Sequence, residues 1–328
     1  MKNIQADIKS GNFKQVYLLY GEEAYLKQQY KQNLVKALNP DGDTMNFNHY
    51  EGKGIDVKQL IDLCETMPFF AERRVVLLED TGFFKNKCEE LADYMKELPD
   101  YLYLVFAETE VDKRNRMYKA VKACGSIAEF IRQDEKTLMR WAAGILGKAG
   151  KKITQRDMEL LLTKTGTDMG NLRMEMEKLI SYTEGRDVVT AEDIEEICTT
   201  QTTNRIFDMV RAVTEKNQKR ALELYYDLLT LKEPPMRILF LLAKQYRQLL
   251  LAKQFAAAGL AQTEIASKLG VPGFVVRNIT TCARAYTISE LEQAVKDFVD
   301  AEESVKTGRL EDKLSVELLI IKLSLIHI

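Results

Sequence analysis

The chain has 328 residues, which is long enough for two or three domains. Hydrophobic residues make up 46 % of it, charged residues 29 %, and the formal net charge is -2. This is the composition of an ordinary globular protein, and it argues against a strongly basic protein that binds nucleic acid through bulk charge.

The first 130 residues predict strands that alternate with helices. Apolar runs at 16–20, 75–78, 102–106 and 127–130 have the length of buried strands, and an alternating pattern from Met45 to His49 adds another. Helical stripes follow at 26–38 and 57–64, and a helix is expected over 113–124. The pattern predicts an α/β domain with a parallel five-stranded sheet covered on both faces.

The strand signal ends near Asp134, and the rest of the chain predicts helices. Thr154 and Thr190 each stand three residues before an aspartate, as in a capping box. Pro234-Pro235 marks a helix start, and the stretch 238–255 is apolar nearly all round, which favours burial. We expect an α/β domain over 1–137, a small helical domain over 138–205 and a second helical domain over 206–322.

Cysteine and histidine offer little for a metal site. The five cysteines form no C-x-x-C pair, and there are two histidines, so we expect no metal, no disulfide framework and a reducing compartment. The first residues lack the apolar core of a signal peptide, and no apolar run reaches the ~18 residues of a membrane span. We therefore expect a cytoplasmic protein.

A phosphate-binding loop, G-x-x-x-x-G-K-[ST], would lie after the first strand. The sequence keeps Gly21 and Lys27, but Leu26 replaces the second glycine and Gln28 replaces the hydroxyl residue. A leucine obstructs backbone amides that must wrap a phosphate, so the loop is predicted to be non-functional and Lys27 to be a solvated lysine. The acidic pair Glu79-Asp80 then has no evident task beyond marking the exposed end of a strand.

Several weak motifs, in their order, carry a resemblance to a known family. The run from Asn171 to Leu179, with Arg173, resembles the lid helix of AAA+ proteins, where an arginine senses nucleotide. The opening Val-Tyr-Leu-Leu-Tyr-Gly-Glu-Glu and the segment Met67-Pro-Phe-Phe-Ala-Glu-Arg-Arg are similar to those of the delta subunits of bacterial DNA polymerase III. The resemblance covers essentially the whole chain and implies an AAA+-like (RecA-like) domain, a lid and a helical collar through which loader subunits assemble.

The resemblance also implies a function. Delta subunits of this family neither bind nor hydrolyse ATP, so it implies no cofactor and no intrinsic catalysis within the polymerase holoenzyme, a nucleotidyltransferase. The stretch Lys122–Gly125 lacks the Ser-Arg-Cys finger of the family's ATPase subunits. The implied partners are the sliding clamp (beta), the motor (tau/gamma) and delta-prime subunits, and primed DNA, with no membrane. The family's clamp-opening hydrophobic pair maps onto Phe69 and Phe70, which follow Met67 and Pro68.

The residues around this pair leave two interpretations open. Adjacent aromatic rings diverge, so both are not expected to reach one core, and a knob-in-pocket contact suits them. The alternative is that one ring packs under the preceding helix end. Arg73 and Arg74 could line the rim of the contact or be solvated charges. A basic cluster could lie near DNA or be a solvated helix face; its members are Lys113, Arg114, Arg116, Lys119 and Lys122.

Two alternatives and one suspect segment remain. Residues 263–280 have the pattern of a helix-turn-helix with Gly270 at the turn, but the second helix offers Val275, Val276 and Ile279 where base contacts need polar side chains. We assign it to packing, and Phe274 with it; an active P-loop ATPase is opposed by Leu26 and Gln28. Residues 323–328 can be encoded by a transposon end used in sequencing-library preparation, so we suspect an artefact and exclude them from the predicted fold.

Overall fold

The structure, a computed structural model, describes residues 2–199 and 202–325. Its contacts divide the chain into two compact units, Met1–Gln133 and Asp134–Ile328. The first boundary therefore lies four residues before the predicted one at 137. The predicted division of the helical remainder into a lid and a collar stays a prediction.

Parallel strands form the centre of the first unit. Within its described residues a five-stranded sheet has the order β2-β3-β4-β1-β5, and every paired neighbour is parallel. This confirms the predicted α/β class with a parallel five-stranded sheet. The strands are β1 (Val16–Tyr20), β2 (Phe47–Glu51), β3 (Arg74–Glu79), β4 (Leu102–Glu108) and β5 (Ser126–Glu129).

Helices cover both faces of this sheet. Alternate residues of β1 enter two separate cores, with Val16 and Leu18 on one face and Tyr17 and Leu19 on the other. Strands buried on both faces are apolar at every position, which is why the sequence shows them as continuous runs. The helices are α1 (Lys2–Ser10), α2 (Ala24–Leu38), α3 (Val57–Glu65), α4 (Glu89–Tyr94) and α5 (Arg116–Cys124).

Several details of the first unit differ from the sequence prediction, which included neither α1 nor α4. Helix α5 begins at Arg116 and not near Lys113, because the Asn115 side chain accepts a hydrogen bond from the Met117 amide and caps the helix there. Strand β2 begins at Phe47, so Met45 lies outside the ladder and its side chain is exposed. The alternating pattern begins at Met45, two residues before the first residue that pairs with β3.

The second unit is helical except for one short strand pair. β6 (Lys152–Ile153) and β7 (Val188–Val189) are parallel partners, so the expectation that strands end at Asp134 is wrong by two short strands. Two residues are too few to show a strand period. The helices are α6 (Glu135–Lys148), α7 (Gln155–Thr165), α8 (Met169–Tyr182), α9 (Ala191–Ile197), α10 (Thr202–Thr214), α11 (Gln218–Thr230), α12 (Pro235–Ala257), α13 (Gln262–Leu269), α14 (Gly273–Ala283), α15 (Ile288–Lys306) and α16 (Asp312–Leu325).

The predicted helix starts are found. The Thr154 hydroxyl accepts from the Asp157 amide, and Thr190 forms a full capping box with Asp193. Pro235 is the first residue of α12. The buried face of α12 joins the core of the second unit, but Phe240 is 66 % exposed, so this helix is not enclosed on all sides.

The suspect C-terminal segment is partly structured. Helix α16 continues to Leu325, and Leu323 is buried in the core of the second unit. Leu323 to Leu325 therefore belong to the folded helix, contrary to their exclusion from the predicted fold. Residues 326–328 lie outside the described residues.

Candidate functional site

The exposed aromatic pair lies on the loop between α3 and β3, residues 66–73, which we call the aromatic loop. Phe70 is 95 % exposed, Phe69 57 % and Met67 75 %, while Pro68 is half-buried. The two phenyl rings meet edge to face with centroids 4.5 Å apart. Neither ring is packed under the end of α3, which removes that alternative, and the contact interpretation stays a prediction. Adjacent exposed aromatic rings are a common mark of a protein-binding site.

A buried asparagine holds the backbone of the pair. The Phe69 amide donates to Oδ1 of Asn46 (2.6 Å), and Nδ2 of Asn46 donates back to the Phe69 carbonyl (2.8 Å). Asn46 itself is buried. The two bonds join the aromatic loop to the turn before β2 and fix the position from which both rings project.

Phe70 has a left-handed backbone, with φ = +50°. This conformation costs a non-glycine residue on the order of 1–2 kcal/mol. An exposed side chain gives little folding energy in return. Strain of this kind persists where surrounding contacts impose it, and it is typical of functional loops.

The two arginines after the pair differ from the prediction and from each other. Arg74 is buried: its Nε donates to the Thr66 carbonyl (2.8 Å), and one terminal nitrogen donates to the Met67 carbonyl (3.3 Å). It is therefore neither a rim charge nor a solvated one, but an internal support of the aromatic loop. Arg73 is half-buried, with its guanidinium carbon 5.2 Å from the ring centroid of Phe13. A cation over an aromatic face is held in place, so Arg73 is not freely solvated either.

The degenerate phosphate loop lies at the carboxyl ends of the strands, whereas the aromatic loop precedes β3 at the amino ends. Gly21 has φ = +125°, and a Cβ there would lie 2.3 Å from the Phe130 carbonyl oxygen. Close approach of the backbone after β5 thus explains this glycine without a phosphate. Leu26 packs against the core, and Gln28 is exposed.

Lys27 is not the solvated lysine that the sequence predicted. It is half-buried, and its Nζ donates to the carbonyl of Glu108 (2.9 Å). Burial lowers the pKa of the Lys27 amine below its ordinary value, an effect that nearby carboxylates oppose. Its amine is thus used within the fold.

The acidic pair at the end of β3 also has internal partners. Glu79 accepts from Lys31 (2.6 Å) and lies 2.9 Å from Nε2 of His49. Asp80 accepts from the amide and the hydroxyl of Thr109. Asp80 is exposed and Glu79 is half-buried, so the pair lies at the end of the strand as expected, and both acids have partners within the protein.

Three cations of the basic cluster are ion-paired. Lys113 pairs with Glu129 (2.8 Å), Arg114 with Asp112 (3.1 Å) and Arg116 with Asp93 (2.6 Å). Lys113 and Arg114 precede helix α5, so the cluster does not form one helix face. Lys119 and Lys122 are exposed on α5. Proximity of this cluster to DNA stays a prediction.

Arg173, which the lid resemblance singled out, is ion-paired, and the helix-turn-helix pattern packs within the second unit. Arg173 donates to Glu177, four residues further along α8 (2.7 Å). Gly270 ends α13 with φ = +64°, as a turn requires. In α14, Val276 and Ile279 are buried in the core of the second unit, which supports the assignment of this motif to packing. The Phe274 side chain lies outside the described residues.

Three further features concern metal binding, membrane spans and the cysteines. Among the described residues, no group of three or more histidine, cysteine or acidic side chains is placed to hold a metal ion. The described helices include none with the length and apolarity required to cross a bilayer. All five cysteines are free thiols, and burial raises the pKa of Cys64 and of Cys198 to about 12.

Sequence reasoning missed the two buried residues that support the aromatic loop. The alternating pattern from Met45 to His49 predicts Asn46 on the polar face of a strand, and Arg74 is predicted at the surface, as a rim charge or a solvated one. One signal was present for Asn46: it precedes β2 beside Asp43, and such residues often organise turns. No local signal distinguishes Arg74 from Arg73, because their surroundings are set by tertiary contacts.

The chain is similar in sequence to known proteins. A model of the DNA polymerase III delta subunit family matches residues 17–130, and a model of the C-terminal domain of that subunit matches residues 203–323. DNA polymerase III subunit delta of Bacillus subtilis is 26 % identical over 334 residues, covering 98 % of this chain and 96 % of the relative. A probable delta subunit of Aquifex aeolicus is 22 % identical over 270 residues, covering 78 % of this chain and 75 % of that one.

A solved structure shares the fold. The Bacillus subtilis DNA clamp loader delta protein YqeN has a TM-score of 0.67 and 24 % identity, with 98 % of this chain and 99 % of that one covered. The two family models together match well over half of the chain, in the order of its two units. The chain therefore belongs to the family of DNA polymerase III delta subunits.

Proposed function

We propose that this protein binds the sliding clamp through the aromatic loop and favours the open form of the ring, so that the clamp can be loaded on primed DNA. The observation that carries the proposal is the pair Phe69 and Phe70, exposed by 57 % and 95 % on a loop whose backbone is fixed from inside. Fixed aromatic side chains bind without the loss of loop entropy that weakens mobile ones. A hydrophobic pocket on the clamp is the expected counterpart.

The proposed mechanism uses binding energy and no chemistry. A ligand shifts an equilibrium only by its difference in affinity for the two states. Changing a ring from about 1 % open to about 99 % open requires about 10⁴-fold tighter binding to the open form, or about 5.5 kcal/mol. An aromatic hot-spot pair contributes at least about 2 kcal/mol, and Phe69 and Phe70 supply that part of the required difference because the proposed contact is stronger with the open ring.

The proposal includes no nucleotide and no intrinsic catalysis for this subunit. Leu26 is half-buried and packs against the core, and the amine of Lys27 is bonded to a backbone carbonyl, which leaves neither in the state that phosphate binding needs. ATP would act from motor subunits (tau/gamma), with delta-prime and the helical second unit completing the loader. Titration of Mg-ATP into the purified chain tests this point: we expect no saturable heat, and saturable binding would contradict it.

The direct test is binding of the purified chain to the sliding clamp of its own organism, measured by interferometry or calorimetry. The Phe69→Ala, Phe70→Ala double variant should lose at least about thirty-fold in affinity, the factor that corresponds to about 2 kcal/mol. Phe240→Ala is the matched control, because this phenylalanine is 66 % exposed but lies in the second unit. It should bind as the wild type does.

The outcomes separate the parts of the proposal. Equal binding by the wild type and the double variant would mean that the aromatic loop is not the contact. No binding by either would contradict the clamp-binding function itself. Circular dichroism of the variants should be unchanged, because exposed side chains contribute little to stability.

A further inference from the structure

A second exposed apolar residue stands beside the aromatic loop. Met45 belongs to the turn between α2 and β2, residues 39–46, and its side chain is 64 % exposed. A single exposed methionine needs no explanation by itself. What distinguishes Met45 is the set of contacts that ties its turn to Phe69.

The turn is held by a set of hydrogen bonds. Asn39 and Asp43 bond to each other in both directions, from Nδ2 to the Asp43 carbonyl (2.8 Å) and from the Asp43 amide to Oδ1 (3.0 Å). One carboxylate oxygen of Asp43 accepts from the Met45 backbone amide (2.8 Å), and the other accepts from the side-chain Nδ2 of Asn46. Met45 is therefore exposed on an ordered backbone.

The next residue connects this turn to the aromatic loop. Asn46 accepts from the Phe69 amide and donates to the Phe69 carbonyl, so the two segments are fixed to each other by a pair of bonds. The turn precedes β2 and the aromatic loop precedes β3, and these strands are neighbours in the sheet. Four exposed apolar side chains therefore lie on adjoining segments at the amino ends of β2 and β3: Met45, Met67, Phe69 and Phe70.

We propose that the 39–46 turn is a second part of the clamp-binding surface, in which Met45 contacts the clamp and Asn46 positions Phe69. The inference rests on the proposed function and extends it to residues outside the aromatic loop. Methionine suits such a contact, because its flexible, polarizable side chain fits pockets of irregular shape. Asn46 is buried and acts through the loop backbone, so it is a positioning residue and not a contact.

The test compares Met45→Ala with Met174→Ala in clamp binding by the full chain. Met174 is 58 % exposed on α8 of the second unit and serves as the control for loss of an exposed methionine. We expect Met45→Ala to weaken binding at least about five-fold and Met174→Ala to leave it unchanged. Since Met45 is exposed, its truncation should not change the melting temperature.

The role of Asn46 needs a measurement that a purely structural role would not affect. Asn46→Ala is compared in two backgrounds, the wild-type chain and the Phe69→Ala chain, at a temperature where all variants are folded. A positioning role predicts a large loss of affinity in the first background and a much smaller loss in the second. Equal losses in both backgrounds would contradict it.

The results for the two loops are distinguishable. If Met45→Ala binds as the wild type does while the Phe69, Phe70 double variant does not, the turn lies outside the interface and this inference fails, although the proposed function stands. If the double variant binds as the wild type does, the proposed site fails and this inference with it.

Discussion

The left-handed backbone of Phe70 leads to a prediction that reverses the usual order of alanine and glycine. At an ordinary exposed position, glycine is less stable than alanine by about 0.5–1 kcal/mol, because the unfolded chain is more flexible. Phe70 has φ = +50°, where any residue with a Cβ is strained by on the order of 1–2 kcal/mol. Phe70→Gly relieves this strain and Phe70→Ala does not. The difference favours the glycine variant by about 0.5–1 kcal/mol.

Comparing Phe70→Gly with Phe70→Ala cancels the contribution of the phenyl ring to the free energy of unfolding. Both lose the same ring, which is 95 % exposed and touches Phe69 edge to face, so the remaining difference is one of backbone strain. Scaled to the first unit, residues 1–133, this difference should place the melting temperature of Phe70→Gly about 2–4 °C above that of Phe70→Ala. Both variants should bind the clamp more weakly than the wild type.

A matched pair at Phe240 supplies the control. Phe240 is exposed within helix α12, where glycine should be less stable than alanine by about 1 kcal/mol. The order of alanine and glycine is therefore opposite at the two positions. If alanine is the more stable variant at position 70 as well, residue 70 is not left-handed in solution, and the account of a loop held under strain is wrong.

The remaining predictions concern arginines, one ion pair and the thiols. Arg74→Ala should lower the free energy of unfolding by about 2–4 kcal/mol, because it leaves buried hydrogen-bond partners unsatisfied. Arg73→Ala, which removes a cation over an aromatic ring, should lower it by less than about 1 kcal/mol. Denaturant unfolding measures both values. The bond from Lys113 lowers the pKa of Glu129 below its ordinary value of 4.5, so the wild type should be slightly more stable than Glu129→Gln above that pH and lose the advantage as pH falls through the lowered pKa. An advantage that persisted in acid would contradict this. Iodoacetamide at pH 8 should label Cys124 first, since the other thiols are buried and two have a pKa raised to about 12; mass spectrometry of the native protein checks the order.

The sheet was predictable because its strands are buried on both faces. In a run such as Val16–Tyr20 every residue is apolar, so the strand can be predicted from its own residues without knowledge of its neighbours in the sheet. Strand β2 is half-buried, and its pattern alone placed the start two residues early. Its true beginning is set by the ladder with β3, which the sequence of one strand does not contain.

The support of the aromatic loop could not be predicted from local patterns. Asn46 bonds to Phe69 across 23 residues, and Arg74 reaches back eight residues to Thr66. The first contact follows from β2 and β3 lying side by side, and the second joins the start of β3 to the residue that follows α3. The aromatic pair is predicted from the family resemblance and from the expectation that adjacent rings diverge. In the structure the two rings instead contact each other edge to face, and both are exposed.

The same limit applies to charges. Lys113 and Lys27 look alike in sequence as lysines near helix starts, yet one is paired on the surface and the other is half-buried against a carbonyl. Periodicity separates inner from outer positions of a helix but does not identify the partner of a charge. The basic cluster was identified from residue types alone, so its proximity to DNA remains a prediction.

The central claim is that binding at the aromatic loop opens the clamp. It is tested by placing a fluorescence donor and acceptor on the two sides of one subunit interface of the clamp and adding this protein without nucleotide. Energy transfer should fall with the wild type and stay unchanged with the Phe69→Ala, Phe70→Ala variant at concentrations where the wild type saturates. Saturating binding of the wild type with no change in energy transfer would contradict the claim, since the protein would then hold the closed ring.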